Sequence, residues 1–302
     1  VNNVRTCRID SRMDIMQDTA AKSPEDIEFL NSEYLPRHSV PNVQRYFDTA
    51  AERSTAARAR LVGELDIAYG DTAQQRLDIF PASRPGAPVF IFIHGGYWRA
   101  LDKSFYSDIA EPFVAAGATV VLPNYDLCPD VSIPDIVAQM RKALKWFHSN
   151  AQKYNGDADK IYVCGHSAGG HLTGMMMATD WMAMDLPADL LKGAAPLSGL
   201  FDIEPHRHTD LQVDIRLSAE DAAANSPQTL PLTARCPVIC AVGGGESASF
   251  HRQSKEFSEK CRAAGLPCDY LETGNDNHFE ITERLHKPDD PLTLALLKLM
   301  GL

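Results

Sequence analysis

The chain has 302 residues, 44% of them hydrophobic and 23% charged, with a formal net charge of −11. That composition suits an ordinary globular protein with room for one sizeable α/β domain, and it excludes disordered and collagen-like classes. The acidic balance and the lack of any Lys/Arg run argue against nucleic acid or an anionic membrane as partner, since both require a basic face.

The segment from Val1 to Arg12 is polar and patternless ahead of Met13, which fits a natural start at Met13 behind an added leader. Neither a signal-peptide core nor a run of ~18–20 apolar residues follows, so a protein that is soluble and retained is expected. From about Ser23 to Arg60 the pattern is helical, broken at Pro36 and Pro41, and residues 1–60 form an N-terminal arm.

Beyond the arm, in residues 61–302, short apolar runs alternate with amphipathic stretches. Strands are predicted at Leu65–Tyr69, Gln75–Phe80, Pro88–Ile93, Ala118–Leu122, Ile161–Cys164, Gly193–Leu197, Pro237–Val242 and Pro267–Glu272. Helices are predicted near Phe105–Ala116, Ile133–Asn150, Ala168–Thr179, Ser249–Ala264 and Leu292–Met300. This alternation predicts a mostly parallel eight-stranded sheet with helices on both faces and an active site at the carboxyl ends of its strands. Residues 199–233 are polar, weakly periodic and interrupted by Pro205, Pro227 and Pro231, and read as a partial cap.

Gly165-His166-Ser167-Ala168-Gly169, directly behind the apolar run Ile161–Cys164 and ahead of a helix, carries the chemistry. A strand turning sharply into a helix strains the residue at the turn, flanking glycines leave room for it, and Ser167 then projects its hydroxyl into a cleft. The following helix aims its positive end at the same spot. A serine hydroxyl needs a base and a group to orient that base. His278, in a polar turn after the last predicted strand, is the expected base, with His286 as the weaker substitute. Glu246, reached from a strand through Gly243-Gly244-Gly245, is the expected orienting acid; Asp202 is its rival, and Asp276 is too local to His278.

His94-Gly95-Gly96-Tyr97-Trp98, after the strand Val89–Ile93, supplies the other half. The backbone amides of Gly96 and Tyr97, with that of Ala168, are the expected oxyanion hole, and His94 is a structural brace. Trp98, Trp181 and Phe201 are candidate walls of an aryl-acyl pocket, with Tyr97 beside them.

Two competing motifs fall away on context. Gly243-x-Gly245-x-x-Ala248 matches a dinucleotide fingerprint, but one strand remains after it where a βαβαβ half is needed. Cys236-x3-Cys240 lacks a second ligand pair for zinc. The seven cysteines are odd in number and show no CxxC pair, which favours a reduced, cytoplasmic chain.

Taken together, these motifs resemble the α/β-hydrolase superfamily, and within it the formamidase-like esterases that carry His-Gly-Gly-x-Trp. Asn124–Pro129, Gly165–His171, Ser198–Ile203 and Gly243–Ser247 are similar to blocks of kynurenine formamidase relatives, and the likeness spans roughly residues 30 to 300. The resemblance implies hydrolysis of a small-molecule ester or amide through an acyl-enzyme, with no metal or cofactor. It favours Glu246 over Asp202. A carboxylesterase or arylamidase of broad specificity carries the same blocks, and a non-catalytic binding protein of this fold would have lost a triad member. A homo-oligomer is compatible with the sequence.

Overall fold

The structure is a computed structural model that describes residues 23–302, so the proposed leader and Cys7 lie outside it. The arm forms three helices, α1 (Pro24–Tyr34), α2 (Pro36–Ser39) and α3 (Gln44–Arg60). Ser23 closes a capping box on α1: its hydroxyl accepts from the Asp26 amide, and the Asp26 carboxylate accepts from the Ser23 amide. Pro36 opens α2 at a position where its missing N–H costs nothing.

Eight strands follow: β1 (Glu64–Ala68), β2 (Arg76–Phe80), β3 (Ala87–Ile93), β4 (Thr119–Pro123), β5 (Gly156–His166), β6 (Leu191–Leu197), β7 (Val238–Gly243) and β8 (Cys268–Thr273). They make one sheet in the order β1-β2-β4-β3-β5-β6-β7-β8. The two strands at the β1 edge pair antiparallel, and every pairing from β4 to β8 is parallel. The remaining helices are α4 (Ala110–Ala116), α5 (Ile133–Asn150), α6 (Ala168–Met177), α7 (Gln212–Ile215), α8 (Ala219–Ala224), α9 (Ala248–Ala263) and α10 (Pro291–Leu299).

One helix is shorter than its sequence pattern predicts. Lys103–Ile109 is a 3-10 turn, and the α-helix begins only at Ala110. Pro112 explains the break, because proline has no N–H to give an earlier carbonyl and is tolerated only in a helix's first turn.

Alternate residues of the central strands feed two cores. Ile79, Val89, Ile91, Ile93 and Val121 pack beneath α5 and α6, whereas Phe80, Phe90, Phe92, Val120 and Leu122 face α4 and α10. Cover on both faces is why these strands read as continuous apolar runs instead of alternating ones. Every residue of α6 is buried, so the turn that precedes it is held by packing on all sides. Among the described residues, no helix is long and apolar enough to cross a membrane.

Candidate active site

The turn from β5 into α6 places Ser167 at φ 57° and ψ −119°, a conformation that L-residues adopt only under constraint. Its amide donates to Leu197 O at 2.9 Å, which ties the turn to β6. The neighbouring glycines are required by close approach: a Cβ on Gly169 would stand 2.0 Å from Ile93 O, and one on Gly165 would stand 2.2 Å from Gly169 O. Larger residues there would force α6 away from β3.

The loop after β8 brings His278 to the same place. The turn 243–245 lies directly against the chain at 274–276: Gly245 N donates to Asp276 O at 2.9 Å, and a Cβ on Gly244 would stand 1.8 Å from Gly274 O. The run that resembles a dinucleotide fingerprint thus makes room for the loop bearing His278. His278 Nδ1 lies 2.6 Å from Glu246 Oε2, with both side chains almost wholly shielded from solvent. A carboxylate at Nδ1 fixes the proton there and leaves Nε2 free to accept. Glu246 is itself held, since Oε1 accepts from Gly243 N at 2.7 Å and from the Ser198 hydroxyl. The rings of His166 and Phe250 each pack 4.5 Å from the His278 ring, centroid to centroid, and limit its rotation.

After β3 the chain turns through three consecutive left-handed residues, Gly96 (φ 112°), Tyr97 (φ 50°) and Trp98 (φ 57°). Gly95 lies against the serine turn, where a Cβ would come within 3.2 Å of Ser167 Cβ. His94 is buried behind this loop with Nε2 2.9 Å from Asn124 Oδ1, and its ring stacks on Tyr125 at 4.2 Å. The Tyr125 hydroxyl donates to His94 O at 2.8 Å. Ala168 opens α6 beside this loop, at a helix end where backbone N–H groups lack intrahelical partners.

Ser167, His278, Gly96 and Tyr97 share the wall of a cavity of about 370 Å3. Its remaining walls differ from the expected ones. Trp98, Trp181 and Phe201 do not line it. Trp98 is buried and donates through Nε1 to His171 Nδ1 at 3.1 Å, Phe201 stacks on Phe257 at 4.0 Å, and Trp181 is enclosed in the larger core. All three sit in turns between elements, and their contacts draw them into the core instead of the cavity. The aromatic lining comes instead from Tyr46 and Phe47 on α3, Phe105 and Tyr106 after β3, and Phe279 beside His278. The arm is therefore part of the site, with Arg37 of α2 also on the wall, while residues 199–233 contribute Asp210 and Leu211. Nothing in the sequence singled out these arm residues, because their spacing is that of any surface helix.

The rival residues are engaged elsewhere. Asp202 caps its own turn by accepting from Glu204 N at 3.1 Å, Asp276 pairs with Arg284, and His286 stays off the cavity wall. Ser198, which holds the carboxylate, and His166, whose ring backs the imidazole, were not given roles from sequence. Burial and the adjacent His278 hold the His166 pKa well below the ordinary value, so its ring is neutral.

A parallel sheet with this crossover order, carrying a strained serine between strand and helix and a buried His–carboxylate pair after the last two strands, defines an α/β-hydrolase. A crystal structure from Silicibacter sp. tm1040 superposes with a TM-score of 0.75 at 28% identity, over 87% of this chain and 95% of its own. The BD-FAE family model matches residues 77–192. The kynurenine formamidase of Danio rerio is 33% identical over 95% of this chain and 99% of its own length, and that of Salmo salar is 32% identical over 91% and 95%. The chain belongs to the kynurenine formamidase family.

Proposed function

We propose that this protein is a serine hydrolase that cleaves an aryl formamide or small carboxylic ester through an acyl-enzyme on Ser167. The observation that carries the reading is the buried 2.6 Å pairing of Glu246 with Nδ1 of His278, which shares the cavity wall with Ser167. Ser167 Oγ attacks the carbonyl carbon as its proton passes to His278 Nε2, and Glu246 stabilises the imidazolium. The amides of Gly96, Tyr97 and Ala168 hold the tetrahedral oxyanion. The C–N or C–O bond then breaks, and the leaving nitrogen or oxygen takes the proton back from His278. Water, deprotonated by the same imidazole, releases the acid and restores Ser167.

The aromatic walls supplied by Tyr46, Phe47, Phe105 and Phe279 suit an aryl leaving group. An amide requires more of His278 than an ester does, since a departing amine nitrogen must be protonated. The six described cysteines are all free thiols, which supports a reducing, cytoplasmic setting.

Labelling active protein with an organophosphate and mapping the adduct tests the nucleophile, because a label on any residue other than Ser167 overturns the assignment. Comparing kcat/KM for N-formyl-kynurenine and short p-nitrophenyl esters tests the substrate. A clear preference for the formamide is expected, and equal values would establish a broad esterase.

A further inference from the structure

Cys240 in β7, Cys261 near the end of α9 and Cys268 at the start of β8 bring their sulfur atoms within 4.8 Å of one another. The Sγ atoms of Cys240 and Cys268 are 3.8 Å apart. None of the three lines the catalytic cavity, so the proposed hydrolysis makes no use of them. Cys240 and Cys261 are buried and Cys268 is half-buried, which leaves one side of the cluster open towards solvent.

Three sulfurs at these separations are spaced for coordination. With Zn–S bonds of about 2.3 Å, a tetrahedral edge is about 3.8 Å, so separations that all lie within 4.8 Å have to close by no more than about 1 Å. Among the described residues, no histidine or carboxylate joins the group, so the donor set is all sulfur. Thiolate-only sets select soft, thiophilic ions over Mg2+ or Ca2+. The Arg262 side chain, a cation, lies beside Cys268. Arg262 Nε also donates to Cys268 O at 3.0 Å.

We propose that Cys240, Cys261 and Cys268 form a three-thiolate site for one Zn2+-like thiophilic cation, with a water completing the tetrahedron on the Cys268 side. Binding displaces the thiol protons to solvent and forms three metal–sulfur bonds, with no change of oxidation state. The ion ties β7, α9 and β8 together. The turn after β7 carries Glu246, and the loop after β8 carries His278, so the site braces both from behind.

The test uses the reduced full-length chain, freed of metal with a chelator and titrated anaerobically with Cd2+ and Zn2+. Cd2+ is expected to raise a thiolate charge-transfer band that saturates at one equivalent. Zn2+ should raise the thermal midpoint and show three sulfur neighbours at about 2.3 Å by X-ray absorption. Cys261→Ser and Cys268→Ser, checked for folding by circular dichroism, should weaken binding at least about 100-fold, the upper end of the loss for a residue that merely supports a ligand; Cys236→Ser should bind as the unaltered chain does. No saturable band, fewer than three sulfur neighbours, or undiminished binding in Cys261→Ser overturns the proposal. Loss of two thiols in air together with no metal uptake by the reduced chain also overturns it, and assigns the cluster to a disulfide. The X-ray absorption count on the unaltered chain decides the matter even if the variants fail to fold. Organophosphate labelling at Ser167 is independent of all these readouts.

Discussion

The Ser198 hydroxyl donates to the oxygen of Glu246 that faces away from His278, so the carboxylate is gripped on one side and presents its other oxygen to the imidazole. Ser198 sits at φ 46°, immediately after β6, and its amide donates to Ala241 O in β7 at 2.7 Å. The acid is thus held by the junction of two strands as well as by its own loop.

Removing that grip should loosen the acid without displacing it. Ser198→Ala is expected to lower kcat about tenfold with KM nearly unchanged, as losing a group that orients a functional ligand typically does. Steady-state kinetics on a p-nitrophenyl ester reads the split, and a rise in KM with constant kcat would show that Ser198 acts on binding instead.

Glu246→Gln leaves the shape of the site intact but no longer fixes the imidazole tautomer. A loss of about 10³–10⁴ in kcat is expected, the magnitude for an uncharged amide at the orienting position. Asp202→Ala, which removes a carboxylate occupied in its own turn, should stay within about threefold of the unaltered chain, in the range of surface changes away from the site. If Glu246→Gln turned over at near-normal rates, the orienting role would lie elsewhere.

Gly96 is the most exacting position in the loop after β3. Its φ of 112° disfavours any side chain, and a Cβ would stand 2.0 Å from Ala100 O. Gly96→Ala should therefore turn its amide out of place and cost about 10²–10³ in kcat, the usual loss for one oxyanion donor. Circular dichroism would confirm that the sheet survives, and an unchanged kcat would remove Gly96 from the oxyanion hole.

Arg37 lies on the cavity wall with its guanidinium 5.0 Å from the centre of the Phe47 ring and, among the described residues, without an acidic partner. Burial and the nearby Arg99 pull its pKa down, so a carboxylate on the substrate would relieve both. Arg37→Met should raise KM for a carboxylate-bearing aryl formamide about tenfold, as expected for one charge-assisted contact, and leave a neutral ester within about twofold. Equal changes for both substrates would indicate a packing role.

Acid should destabilise the fold through its buried histidines. Burial in the core lowers the His171 pKa from 6.5 to about 4 and that of His206 to about 3. Both pKa values are depressed, so the unfolded chain binds more protons, and stability is full above pH 6.5 and falls as pH drops towards 4 and 3. His206→Phe should flatten part of that slope, since neither nitrogen of His206 has a hydrogen-bond partner among the described residues and the ring packs 4.7 Å from Tyr34. Chemical denaturation at several pH values measures the slope, and an unaltered slope would remove His206 as a contributor.

The sequence by itself determined the sheet, and it singled out Ser167, His278 and Glu246, the groups proposed to react. Apolar runs separated by amphipathic helices specify strands covered on both faces, and the glycines flanking Ser167 and preceding Glu246 mark turns that only small residues permit. Within the elements, Pro112 overrides the helical pattern and delays the helix to Ala110. The walls of the cavity, the Ser198 contact and the sulfur cluster were settled by tertiary structure alone. Tyr46, Arg37 and Cys261 sit on helices whose sequences carry no mark of their neighbours, and Cys240 and Cys268 are 28 residues apart. Trp98, Trp181 and Phe201 are as aromatic as any pocket wall, yet the packing around their turns places them in the core. Periodicity records which side of an element is buried, and only the packing of one element on another decides whether that side meets a cavity, a metal-sized gap or a neighbouring ring.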